Sequence, residues 1–307
     1  FYAISFSIGF CLRAMGLTRI PMISASIGVT ANTFFNYCFI YGNLGFPRLE
    51  ERGAALATVI ARMLELSTIL FIVYKKDFNL KGNIQSYLNL PKNLIKEIIK
   101  ISTPVFLTEM LWILGVVSLS VAYSKLGTTQ AACVQIADII TAISSILFMG
   151  ISNSASVIIG HTIGKGDKNK VITYSRKILQ IAFGMAIISL LLVQGLTNTI
   201  VSLYHLPPET HIMAVKTMRT VGMFVFLKMI NWTLLIGLFR AGGDTKVAFC
   251  LDIFPLWFYA VPVAFIGAYY KVPVYILVGI ADFSEVIKLA SSLFRYKTLK
   301  WIRDVTV

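Results

Sequence analysis

The chain has 307 residues, of which 57% are hydrophobic and only 14% charged, and its mean hydropathy is +0.77. A soluble globular protein of this length has no use for so much apolar surface, so water is excluded as the solvent for most of it. The net charge of +14 does not point to nucleic acid, because Lys and Arg gather between apolar runs and not along one face.

In chain order, Phe1–Leu12 reads as the tail of a helix. Eight full spans follow, over roughly residues 20–42, 54–75, 101–124, 130–158, 174–199, 213–239, 247–269 and 273–293. Each approaches or exceeds the roughly 20 apolar residues that cross a hydrocarbon core about 30 Å thick. Inside that core a segment must pair its own backbone groups, so the spans are helices, and no period-2 alternation suggests a β-barrel. The fold class is therefore an all-α polytopic membrane protein. Pro104, Pro255 and Pro262 fall within spans and are expected to kink them. Cys11, Cys38, Cys133 and Cys250 lie in apolar stretches without metal-ligand spacing and read as buried, space-filling thiols.

Two turns share one pattern: Arg13-Ala-Met-Gly16-Leu-Thr-Arg19 and Arg240-Ala-Gly242-Gly-Asp244-Thr-Lys246. Each closes one apolar run and opens the next, which marks a chain built from two related halves, as in many transporters. Six spans separate the turns, so both lie on one side of the membrane and the halves repeat in parallel. That side collects 20 of the 28 Lys and Arg, including Lys288, and six lie opposite; it is therefore expected to be cytoplasmic, with the C-terminus. The expected divisions are 1–80 for the remainder of the first half, 81–100 for a cytoplasmic linker and 101–307 for the second half. By the repeat, three helices and part of a fourth precede Phe1, so a truncated start is expected.

Charged and amide side chains inside spans are the candidates for function, because a charge at the bilayer centre costs about 3 kcal/mol or more on insertion scales. Glu109 lies about a third of the way into its span, far from any basic neighbour in sequence, and is the first candidate for an ion-coupling site. Lys228 is mid-span, too deep to reach the interface, and is expected to pair with Glu109 or Asp138 beside a central cleft. Asn231 shares its face; Asp252, Asn153 and Gln135 are further polar positions. Asn32 and Asn36 lie one helical turn apart, with Thr58 on the next helix, and together offer hard oxygen ligands. Arg62 with Glu65, and Glu285 with Lys288, read as internally compensated pairs at i,i+3. Arg13, Gly16, Arg240, Gly242 and Asp244 read as cytoplasmic gate turns. Trp112, Phe224 and Trp257 could meet organic cations through their rings. There is no nucleophile–base pair, His cluster or phosphate loop, so neither an enzyme nor an ATP-driven pump is expected, and no cofactor or resident metal.

Several stretches resemble the multidrug and toxic compound extrusion (MATE) family. They are Asn32-Thr-Phe-Phe-Asn36-Tyr with Ile40-Tyr-Gly42, Gly53-Ala-Ala-Leu-Ala-Thr58, Thr103-Pro-Val-Phe-Leu-Thr-Glu109-Met-Leu-Trp112, Gly150-Ile-Ser-Asn-Ser-Ala155, Gly160-His-Thr-Ile-Gly-Lys-Gly-Asp167, Gly237-Leu-Phe-Arg-Ala-Gly-Gly-Asp-Thr245 and Asp252…Trp257…Val261-Pro262. The resemblance implies two six-helix lobes, of which this chain would hold the end of helix four through helix twelve. It implies a plasma-membrane antiporter, monomeric, that exports amphipathic small molecules by alternating access in exchange for Na⁺ or H⁺. It places the second-lobe acidic site at Glu109, with Na⁺ nearby in Na⁺-coupled members. Family members with a first-lobe cation site have an Asp where Asn36 stands, so that charge is absent here. The alternatives are a lipid-linked oligosaccharide flippase of the same superfamily and an inactive truncated product.

Overall fold

The computed structural model describes residues 1–75 and 91–303, all helices and their connections with no strand among them. The chain divides into two compact units, Phe1–Leu94 and Ile95–Val307. In the first unit α1 (Tyr2–Ala14), α2 (Arg19–Tyr41) and α3 (Glu50–Lys75) follow one another, with α2 and α3 packed as a hairpin. Gly42 ends α2 in the left-handed region at φ 73°, a conformation that costs a glycine nothing. Residues 81–90 of the expected linker lie outside the described residues, and from Lys92 the chain is already helical.

The second unit contains α4 (Lys92–Ser124), α5 (Thr128–Gly164), α6 (Lys168–Ser202) and α7 (Pro208–Trp232). A π-helical stretch, Thr233–Arg240, prolongs α7. Then come α8 (Thr245–Pro255), a π-helical turn at Leu256–Ala260, α9 (Val261–Tyr269), α10 (Val274–Asp282) and α11 (Ser284–Lys297). The core gathers around α7 and its π-helical extension. Met218, Val221, Val225, Met229, Leu234 and Leu238 are buried there against Phe148 and Ile159 of α5.

Among the described residues, six helical segments are long and apolar enough to cross a membrane. Two of the eight expected spans are not among them. Arg19–Tyr41 has the length, but Ser24, Ser26, Thr30, Asn32, Thr33 and Asn36 dilute its hydropathy. The expected span 273–293 is interrupted at Phe283, between Asp282 and Glu285, leaving helices of 9 and 14 residues. The prolines behave differently from one another: Pro255 and Pro262 bracket a π-helical turn at 256–260, whereas Pro104 sits inside the uninterrupted helix α4. A proline frees the carbonyl four residues before it, and a wider turn accommodates the lost hydrogen bond. The thiols split: Cys38 and Cys133 are buried, but Cys11 and Cys250 are exposed on helix faces and fill no core.

Candidate functional site

In the first unit the three amide and hydroxyl positions do meet. Asn36 Nδ2 donates to Asn32 Oδ1 at 3.0 Å, and Asn32 Nδ2 donates to Thr58 Oγ1 at 3.3 Å. Asn36 Oδ1 is buried with no hydrogen-bond partner. The group carries no charge, so it offers oxygen ligands without the electrostatic attraction that holds a cation strongly. One turn further along α3, Arg62 pairs with Glu65 at 2.6 Å, as the spacing predicts.

In the second unit, charged side chains from five helices converge. Lys228 of α7 sits between both carboxylate oxygens of Asp282, at 2.9 and 3.0 Å. Lys288 of α11 donates to Asp252 of α8 at 2.8 Å and to Glu285 at 3.1 Å, with its side chain only 4% exposed. Asn231 Nδ2, one turn from Lys228, donates to the Glu285 carboxylate at 2.8 Å and to the Glu285 backbone carbonyl at 3.0 Å. That carbonyl lies just past the interruption at Phe283. Asn231 Oδ1 remains a buried acceptor with no partner. Asp138 of α5 completes the group. It accepts no hydrogen bond among the described residues and opens into a cavity of about 400 Å³. Asp138, Lys228, Asp282, Glu285 and Lys288 line that cavity, with the rings of Trp112 and Trp232 and with Leu119 and Leu256 as apolar wall. Four carboxylates, at Asp138, Asp252, Asp282 and Glu285, thus face two ammonium groups. If all ionise, the site is two negative charges in excess, which a membrane interior tolerates only with a proton or a cation bound.

Lys228 therefore has neither of its expected partners as an ion pair. Glu109 is held elsewhere: Arg240 donates to its Oε1 at 2.8 Å. The Glu109 side chain is 54% exposed and that of Arg240 only 18%, so the arginine is anchored and the carboxylate open. The structure thus joins a residue expected in the coupling site to one expected in a gate turn. A guanidinium already supplies the positive charge that Na⁺ would bring to Glu109.

The two turns also differ from expectation. Gly16 does take the left-handed region at φ 81°, and Arg13 lies over the Phe10 ring at 4.9 Å. In the second turn the left-handed residue is Gly243, at φ 76°. Gly242 is instead required by contact, because a Cβ there would meet the carbonyl oxygen and ring of Trp301. Asp244 is buried and clamped by Arg295 at 2.6 Å and Arg303 at 3.2 Å, so its partners come from the C-terminal end of the chain.

Asp282 is the residue that sequence reasoning missed. From sequence, Lys288 and Glu285 read as a self-contained pair and Lys288 as one of the cytoplasmic charges, but Lys288 is buried and also reaches Asp252. Asp282, Glu285 and Lys288 recur every three residues in an otherwise apolar run, a one-face signal that was present to be read. Of the aromatic candidates, Trp112 lines the cavity, whereas the Trp257 indole donates to the Leu111 carbonyl at 3.0 Å and serves to join helices.

The family model MatE matches residues 104–266, more than half of the chain. The chain is 25% identical over 263 residues to a protein described as probable multidrug resistance protein NorM of Thermotoga maritima. That alignment covers 84% of the chain and 55% of the relative. A protein of the same description from Bacillus anthracis is 24% identical, with 84% and 57% covered. The chain thus spans little more than half the length of these curated relatives. Among solved structures, a Vibrio cholerae MATE transporter shares the fold with a TM-score of 0.80 at 18% identity, covering 96% of this chain and 65% of that one. A transporter of the MOP superfamily from Pyrococcus furiosus, described as having a binding pocket of reverse polarity, gives a TM-score of 0.79 at 19% identity, covering 95% and 65%. With the family model matched from Pro104 of α4 to Ile266 of α9, short of the two helices that carry Asp282, Glu285 and Lys288, this chain belongs to the MatE family of multi-pass membrane transporters.

Proposed function

We propose that the protein works in a cation-coupled antiporter that exports drugs and other amphipathic organic compounds by alternating access, with Na⁺ or H⁺ as the coupling ion. The observation that carries this reading is Asp138: a carboxylate without a hydrogen-bond partner among the described residues, open to an aromatic-walled cavity, beside a network with more acids than bases. An organic cation and an inorganic cation or proton would compete for the same excess negative charge, and competition for one site is what exchange requires. Glu109, held by Arg240, is a second acid on which such an exchange could act, and Asn32, Asn36 and Thr58 offer only neutral ligands. In this reading the protein is a monomer in the plasma membrane with its C-terminus and both Gly-containing turns inside. The lipid-linked oligosaccharide flippase gains one observation, that two lysines and not one line the cavity. Both are neutralised by carboxylates, so the cavity favours cationic over phosphorylated substrates.

The test is ethidium efflux from cells producing the protein, with the Na⁺ gradient and the pH gradient collapsed in turn. Efflux should depend on one of the two gradients and fall at least about tenfold in Asp138→Asn. Efflux indifferent to both gradients, or unchanged in Asp138→Asn, would overturn the reading.

A further inference from the structure

Away from the charged cavity, a second hollow of about 540 Å³ opens between the first half of α6 and the end of α11. Its lining is mixed: Arg176, Gln180 and Lys297 are polar, and Ile172, Leu179 and Phe183 form the apolar wall. Phe183 lies seven residues beyond Arg176 on the same helix, about 10 Å further along its axis. The wall opposite is fixed. The Tyr296 hydroxyl and Ser175 Oγ share a hydrogen bond of 2.9 Å, and the Tyr296 ring stacks on buried Trp301 at 5.9 Å.

The two cations are distinguished by what they lack. Around them, Arg295 and Arg303 are both committed to Asp244, and Lys170 to Asp167. Arg176 and Lys297 make no ion pair or hydrogen bond with any carboxylate among the described residues. Two unneutralised charges beside an apolar wall on a membrane-spanning helix are complementary to a phosphate carrying hydrocarbon chains. The guanidinium can hold two phosphate oxygens at once, the ammonium adds a point charge, and the acyl chains continue along Phe183. Basic pockets between membrane helices take anionic headgroups on this principle. A soluble phosphate would leave the apolar wall unused, and a zwitterionic choline headgroup would bring its own cation against two others.

We infer that the hollow bounded by Arg176, Lys297 and Phe183 is a binding site for an anionic phospholipid of the surrounding bilayer.

Native mass spectrometry of the detergent-purified protein, titrated with phosphatidylglycerol or phosphatidylcholine, tests this. Phosphatidylglycerol should bind about tenfold more tightly than phosphatidylcholine. The double variant Arg176→Gln/Lys297→Gln should lose that preference, and Lys165→Gln/Lys168→Gln, which removes equal charge nearby, should keep it. Equal binding of the two lipids, or a preference that survives in the first double variant, would overturn the inference. So would displacement of phosphatidylglycerol by an equal concentration of glycerol 3-phosphate, which would mark the site as one for soluble phosphate.

Discussion

Lys228 and Asp282 are 54 residues apart in sequence and form a bidentate pair inside the second unit, with side chains 20% and 15% exposed. Removing one member of a buried pair leaves an uncompensated charge, whereas replacing both by apolar groups of similar volume removes the problem. Lys228→Met and Asp282→Leu should each lower the unfolding free energy by about 3–5 kcal/mol, and the double variant should recover most of the loss. Denaturant unfolding in detergent, followed by helical circular dichroism, measures this; strictly additive losses would show that the two residues do not act as a pair. Asp167 gives a pH prediction outside the membrane spans. It caps α6 by accepting from the Lys170 backbone N–H at 3.1 Å and from the Lys170 ammonium at 2.8 Å. The hydrogen bond from the Lys170 side chain and that from its backbone hold the Asp167 carboxyl below its ordinary value. A depressed folded value means that the cap's contribution is complete above the unfolded value of about 3.9 and is lost as pH falls through the folded one. An NMR titration of Asp167 should show a midpoint below the ordinary carboxylate range, returning towards that range in Lys170→Met.

Where helices meet, small residues decide the approach. Gly53 of α3 lies so close to α2 that a Cβ there would sit 2.7 Å from the Phe39 carbonyl carbon and oxygen. Backbone atoms cannot swing aside as a side-chain tip can, so Gly53→Ala should cost about 1–3 kcal/mol. Gly184, in the middle of α6 with open space around it, is the control: Gly184→Ala should be neutral or stabilise by up to about 1 kcal/mol. Thermal unfolding of the two variants side by side reads the difference. The sequence announced Gly53 only as part of a family-like stretch; its contact with Phe39 depends on how two helices rotate against each other. The π-helical stretches divide in the same way. That at 256–260 follows from Pro255 and Pro262, whereas 233–240 contains no proline and had no sequence signal.

The C-terminal end folds back on the second turn and closes the second unit. Trp301 is fully buried against Phe239 and Tyr296, and the Arg303 backbone N–H donates to the Gly242 carbonyl at 2.9 Å. Trp301→Ala should therefore cost about 3–5 kcal/mol despite lying six residues from the C-terminus, measurable by denaturant unfolding of the full chain. A change near zero would mean that the end is not part of the fold. Hydropathy and length were enough to read helices and membrane, because a helix in lipid pairs its backbone within its own segment and advertises its solvent residue by residue, while the family was read from the ordered family-like stretches. The hydrogen bonds among Asn32, Asn36 and Thr58, and the pair Arg62–Glu65, were legible for a related reason: their partners lie one turn or one helix away. The joining of Lys228 to Asp282, of Arg240 to Glu109 and of Lys288 to Asp252 was not legible. A charge in an apolar span announces that it needs a counter-charge, but which one it finds is set by the rotation and adjacency of helices far apart in the chain. Those are properties of the packed bundle alone.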